Sequence, residues 1–319
     1  MNEQTYLSSQ AELDALCESA LDAGRLLRAE LGKRDAPLSE MLTKALTAMS
    51  LLGSGSLPSS YRHLPQAFHD FARASNAKSA ATAQLAARAL VASSFTHPRN
   101  MRAVNLPPSI LPLYAREFRR ILETIRDEGT TIALTEDRWR KNLSILVGRL
   151  IPVGAEFADV GSGLPRSTLM RGSFIQRLRV LRCVMTGARG FRPMLELHAH
   201  PDSLDDFNPN GWLASYKRLA EILAINPGYK GVIASSWFRD PALSQISPRL
   251  SYLREYPETH GALMVKVGTD KEGRSGALTR SPTRRSLFEQ GRYIPAIYLM
   301  IWPRRTMLAW AGISGEAID

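Results

Sequence analysis

Apolar positions recur at helical spacing along the chain up to Gly129. Leu13, Leu16, Ala20, Leu27 and Leu31 share one face of a helix predicted over 9–31. Ser9 and Glu12 have the spacing of a capping box at its start, and Gly32 follows as a stop. Leu38, Met41, Leu42, Ala45, Leu46 and Met49 predict a second helix over 38–50. The Gly/Ser/Pro-rich stretch 53–60 predicts a loop. Residues 64–95 are rich in alanine and predict helix, ending at His97-Pro98 because the proline ring disfavours a helical conformation at His97. A proline-punctuated connector, 105–112, leads to a helix over 113–128, with Leu113, Phe118, Ile121, Leu122 and Ile125 as its buried stripe and Gly129 as its close. This part reads as a helical layer for packing or for binding a partner.

After Gly129 the pattern changes. Runs of β-branched residues predict strands over 130–134 and 143–153. Asp159-Val160-Gly161-Ser162-Gly163 reads as a glycine-rich turn able to cradle phosphate, without the third glycine of the dinucleotide fingerprint. Residues 166–186 suit a helix or a β-ribbon and carry Arg166, Arg171, Arg177, Arg179 and Arg182. Residues 194–200 alternate as a strand does, which puts Glu196, His198 and His200 on one side. Asn208-Pro209-Asn210-Gly211 predicts a turn, and Trp212, Tyr216, Leu219, Ala220 and Leu223 mark one face of the helix after it. Strands are predicted over 231–238 and 262–267. Ser247-Pro248 reads as a helix cap, 283–290 as a short helix stopped by Gly291, and 294–310 as an extended segment interrupted at Pro303-Arg304-Arg305. The expected fold class is α+β: a helical region over 1–128, then a mixed α/β domain over 129–319 with a central mixed sheet and flanking helices.

Composition narrows the class. The chain has 319 residues, of which 44% are hydrophobic, enough for a substantial core. No apolar run is long enough to span a membrane. Met1-Asn2-Glu3-Gln4 lacks the basic and apolar segments of a secretory signal. Cys17 and Cys183 stand far apart and read as free thiols of a reducing cytoplasm. The formal net charge is +11, which favours an anionic partner: a phosphorylated cofactor, an acidic substrate or nucleic acid.

The order of 194–200, 212–223 and 231–238, followed by the helix-to-strand step Arg284-Arg285-Ser286-Leu287-Phe288-Glu289-Gln290-Gly291-Arg292-Tyr293, resembles the close of the GNAT acyltransferase superfamily. The resemblance covers about 120 residues, the scale of one small domain. It implies an enzyme that takes an acyl thioester such as acyl-CoA and moves the acyl group to a small amine or an amino-acid-derived, anionic substrate. It implies Glu196 or His198 as the base for the amine and Tyr293 as the acid for the leaving thiolate. Arg284, Arg285 and Arg292 would then hold the cofactor. Where that superfamily has a glycine-rich pyrophosphate loop, residues 200–208 are acidic, with Asp202, Asp205 and Asp206.

Two other chemistries share these residues. His198 and His200 on one strand face, with Asp202 and His260, form the donor set of a mononuclear divalent-metal site. Between Arg274 and Arg305 there are seven arginines and one acid, Glu289, with Tyr293, Tyr298 and Trp302 among them. Such a stretch suits an anion-binding module or a track for nucleic acid, although no nucleic-acid-binding motif accompanies it and burial is the expected fate of aromatics in an apolar strand.

Overall fold

The computed structural model describes residues 3–52, 60–100, 104–202, 204–279 and 281–313. The loop expected over 53–60 therefore lies outside the described residues except for Ser60, as does Arg280 of the arginine-rich stretch. The fold is α+β, and the chain divides into two compact units. One comprises Met1–Gly161 with Ala199–Leu204, the other Ser162–His198 with Asp205–Asp319. The change of pattern at Gly129 falls inside the first unit.

The first unit holds α1 (Glu3–Arg34), α2 (Ala36–Ser50), α3 (Gln66–Asn76), α4 (Ala80–Ser93), α5 (Leu111–Arg126) and α6 (Asp137–Leu146), then β1 (Leu150–Pro152) and β2 (Phe157–Ser162). Helix α1 packs on α4 and α5 and buries Leu13, Ala20 and Leu31 completely. It runs straight through Ser9, so that residue is a buried helical position rather than a cap. The cap signal that operates lies at Asp35, whose carboxylate accepts the Leu38 N–H at 3.1 Å, with Pro37 in the first turn of α2. The alanine-rich stretch is two helices rather than one. Ser79 starts the second by accepting the Thr82 N–H.

The strands expected over 130–134 and 143–153 are mostly absent. Ile132 is held by a side chain instead, its N–H donating to Gln84 Oε1 at 2.8 Å. Residues 137–146 are helical because Trp139, Leu143 and Leu146 recur at helical spacing and are all buried. Only 150–152 is extended, paired antiparallel with β2 in the register Leu150↔Asp159. The supposed glycine-rich turn is thus largely strand: Asp159, Val160, Gly161 and Ser162 belong to β2.

The second unit holds α7 (Phe174–Arg182), which continues into a π-helical turn (Cys183–Ala188), then β3 (Met194–His198), α8 (Pro209–Ile225), β4 (Gly231–Ser236), α9 (Leu243–Ile246), α10 (Tyr252–Thr259), β5 (Leu263–Thr269), α11 (Pro282–Glu289), β6 (Ala296–Pro303) and α12 (Arg304–Trp310). Its strands lie in the order β3-β4-β6-β5. The first pair is parallel and the other two are antiparallel, with a bulge between Lys266 and Gly268. Met194, Ile233, Val265, Leu299 and Ile301 form an apolar cluster with Val180, Val184 and Ala188 from α7 and its π-turn. A second set of contacts is aromatic. Trp302 of β6 meets Tyr216 of α8 with ring centres 5.1 Å apart and Trp310 of α12 at 5.3 Å. The chain after Pro303 was expected to stay extended; instead Pro303 precedes α12, a position where its fixed φ is compatible with a helix start.

Gly231 starts β4 at φ 148°, and a Cβ there would lie 2.3 Å from the Trp302 carbonyl oxygen across the strand pair. Backbone cannot move aside as a flexible side chain can. Gly231→Ala is therefore expected to destabilise the protein by at least about 2 kcal/mol, read as a lowered urea midpoint. An unchanged midpoint would show that β4 and β6 do not approach this closely in solution.

Candidate functional site

Strand β3 brings Glu196 and His198 to one side, as alternation requires. His198 Nε2 lies 3.9 Å from Glu196 Oε2. The same carboxylate oxygen accepts the Ser162 hydroxyl at 2.5 Å, a short bond in the range of a hydroxyl donating to a charged acceptor. The His198 side chain is 12% exposed and that of Glu196 24%, so both are shielded, and His198 Nε2 itself is buried. The parallel partner β4 sets their height, with Glu196 opposite Ile233. The three groups form a hydroxyl–carboxylate–imidazole cluster in which the serine is hydrogen-bonded to the carboxylate and the imidazole stands just beyond hydrogen-bond distance of it. Ser162 was not among the candidate residues. Its only sequence signal was its place in the glycine-rich stretch, which pointed to phosphate rather than to a carboxylate partner. Gly163 beside it admits the Arg192 side chain, since a Cβ there would lie 2.1 Å from Arg192 Cγ.

His200 and Asp202 lie in the first unit, whereas Glu196 and His198 belong to the second. His200 is fully buried, with its ring 5.4 Å from that of Phe157. Its Nδ1 accepts the Asp202 N–H at 3.1 Å. Burial first, and then the charges of Arg120, Lys141 and Arg138, push the imidazole down to about 3, while a main-chain hydrogen bond with Arg138 acts the other way. Asp202 pairs with Arg138 Nε at 2.7 Å and Arg120 Nη1 at 3.4 Å. Arg120 also pairs with buried Glu117 at 2.9 Å and donates to Asn142 Oδ1 at 2.7 Å. No contiguous motif announces this network, because α5 and α6 supply it from positions that read as the polar side of amphipathic helices.

His260 follows α10. Its Nδ1 lies 2.7 Å from the Tyr256 carbonyl oxygen, and its ring packs against Tyr256 and Trp310. Among the described residues no group of three or more His, Cys, Asp or Glu side chains is gathered so as to hold a metal ion.

Tyr293 belongs to a separate buried cluster with Trp237, Leu243, Ala277 and Leu278. Its hydroxyl donates to Asp240 at 3.2 Å. Burial, reinforced by the Asp240 carboxylate, raises the phenol well above its ordinary value, so it keeps its proton through neutral pH. Of the three arginines expected at a cofactor, Arg284 is buried and engaged: Nε donates to the Ala277 carbonyl at 2.6 Å, Nη1 to Ser247 Oγ at 3.0 Å, and the guanidinium lies 4.7 Å from the Trp237 ring centre. Arg285 and Arg292 are exposed. Both cysteines are thiols that burial pushes up to about 11, as inert structural thiols would be.

Comparison of the chain with protein-family models, with curated proteins and with solved structures gives no match.

Proposed function

We propose that the chain is a group-transfer enzyme of the acyltransferase type, acting on a small amine or amino-acid-derived substrate, with Glu196 as the base. The observation that supports this reading is the meeting of Ser162, Glu196 and His198 around one carboxylate oxygen. An ammonium substrate must lose a proton before its nitrogen can attack a carbonyl carbon. A shielded carboxylate with an imidazole beside it can accept that proton and pass it to solvent. The amine nitrogen then forms the C–N bond as the C–S bond of the thioester breaks, and the thiolate leaves with a proton from water or from a protein acid. The acyl thioester supplies the activated carbonyl. Arg285 and Arg292 are the two exposed cations, of the three expected, available to meet its phosphates. Arg284 instead holds the loop at Ala277 in place. Tyr293 is protonated at neutral pH, as an acid must be, and its present partner is Asp240.

The test pairs binding with turnover. Acetyl-CoA at saturation is expected to raise the melting temperature of the full chain, because a ligand of the folded state alone stabilises it. Thiol release with a panel of amino acids and small amines is expected to fall by about 10²–10⁴-fold in Glu196→Gln, with an unchanged melting temperature. Loss of basal activity at neutral pH should be partly restored at higher pH, where more substrate is already a free amine. No shift with acetyl-CoA and no thiol release above background would overturn the reading. So would full activity in Glu196→Gln.

A further inference from the structure

The second unit carries a surface that the acyl-transfer reading does not use. Along α7 and its π-turn, Phe174, Leu178, Leu181 and Met185 recur at spacings of four, three and four, which aligns them in one row. All four are exposed, as are Met170 and Ile175 beside them. Phe174 and Met170 each keep 72% of their surface in water, and Met185 keeps 68%. Val180 and Val184, on the other side of the same helix, pack into the apolar cluster on the sheet. The helix is thus apolar on its inner face and again on its outer one, and exposed apolar rows of this kind mark interaction sites.

The charge around the row is of one sign. From Arg166 to Arg189 the chain has six arginines and no aspartate or glutamate. The row leads to a cavity of about 480 Å³ at the end of the π-turn. Arg189, Lys230, Arg304 and Arg305 line it, Leu308 and Ile313 add apolar surface, and among the described residues no acidic side chain lines it. Arg189 is the one non-glycine residue with a left-handed backbone among the described residues, at φ 51°. That conformation is uncommon for a side chain of this size, and such residues gather at functional sites. The cations come from three places in the chain: the end of the π-turn, the residue before β4 and the first two residues of α12. The cavity therefore opens where β3 and β4 begin, whereas His198 ends β3.

We propose that this surface docks on an anionic membrane. Helix α7 lies in the plane of the bilayer with its exposed row among the acyl chains, its arginines reach the headgroups, and the cavity takes the phosphate of one lipid. The charge selects this occupant. A second copy would set six arginines against the same six on a chain of net charge +11, and the two would repel. A zwitterionic or soluble apolar partner leaves the arginines unanswered. A long-chain apolar row edged by arginines is the composition of helices that rest in a lipid interface, with the guanidinium heads extended towards phosphate. No described helix is long and apolar enough to cross a membrane, so the contact is one of surface rather than span.

The full chain is tested by co-sedimentation with vesicles of phosphatidylcholine alone and of phosphatidylcholine mixed with phosphatidylglycerol. Binding to the mixed vesicles is expected to be at least about tenfold tighter, to weaken with salt, and to resist displacement by soluble glycerol phosphate. The double variant Phe174→Ser/Leu178→Ser alters only exposed side chains, so its melting temperature should be unchanged while vesicle affinity falls at least about tenfold. Lys230→Glu/Arg305→Glu should remove the preference for phosphatidylglycerol. The proposal is overturned by absence of binding to mixed vesicles, by binding indifferent to the Phe174/Leu178 substitutions, or by full displacement with glycerol phosphate. It is also overturned by a dimer that those substitutions dissolve, or by retention on single-stranded nucleic acid, where vesicles fail to bind.

Discussion

Asp159→Asn is expected to destabilise the protein by about 3–5 kcal/mol, the usual cost of removing one partner from a buried ion pair. Asp159 has no exposed surface and Arg149 only 1%. Arg149 Nε meets Asp159 Oδ1 at 2.8 Å. The carboxylate also accepts the Tyr61 N–H at 2.6 Å and the Gly161 N–H at 3.0 Å. Burial raises the carboxyl pKa, and Arg149 with the two amides opposes that rise. Asparagine keeps the size and one acceptor oxygen but takes the Asp159 negative charge away from the buried Arg149 guanidinium. Gly161 completes the arrangement, for a Cβ there would fall 1.8 Å from Arg149 Nη2. The measurement is the urea midpoint at neutral pH, with an unchanged m-value to show that the same surface is exposed on unfolding. A double replacement, Arg149→Met with Asp159→Leu, should recover only part of the loss: it removes both buried charges but leaves the Tyr61 and Gly161 N–H groups without the carboxylate that accepted them. A loss below about 1 kcal/mol in the single variant would mean that water reaches the pair, as it does exposed ones.

The second unit was largely legible in the sequence, and the reasons are local. Residues 194–198 alternate, and Gly291 follows α11 at φ 69°, a backbone suited to glycine; Asn208-Pro209-Asn210-Gly211, expected as a turn, is instead the cap and first turn of α8, with Asn208 accepting the Gly211 N–H. Each of these signals acts within a few residues. Residues 143–153 misled because β-branched content is shared by a buried helix end and a strand, and burial against α5 decides between them. The glycine-rich stretch 159–163 misled for another reason. Its glycines make room for Arg149, which faces Gly161 across the β1–β2 pair, and for Arg192, which lies beyond α7, rather than for a turn. The candidate site shows the same division. Glu196 and His198 share a side because strand geometry alone places them there, whereas Ser162 reaches them only through the fold. Tyr293, placed near them by family resemblance, has Asp240 as its hydrogen-bond partner, and Asp240 gives no local sign of that role.

His200 is expected to make the protein acid-sensitive over a window set by its own displacement. In the unfolded chain its imidazole titrates near its ordinary 6.5, and in the fold at about 3. Between these values the unfolded state holds a proton that the folded state refuses. Its contribution is therefore fully present above 6.5 and is lost as the pH falls towards 3, by up to about 1.4 kcal/mol per pH unit. By pH 4 the loss is about 3 kcal/mol. The cause is geometric: a ring with no exposed surface, flanked by Arg120, Lys141 and Arg138, whose Nδ1 already accepts the Asp202 N–H. With Nδ1 as acceptor, the neutral ring carries its proton on Nε2, and a second proton would break that bond as well as add charge beside three cations. His200→Asn offers an oxygen to the same N–H and has nothing to titrate. Urea unfolding of both proteins between pH 7.5 and pH 4 separates this residue from the carboxylates, which titrate in both and cancel in the difference. The stability gap between the two should move in favour of His200→Asn by about 3 kcal/mol across that range. A gap that stays constant with pH would mean that the folded ring accepts a proton near its ordinary value, and that water or a carboxylate reaches it.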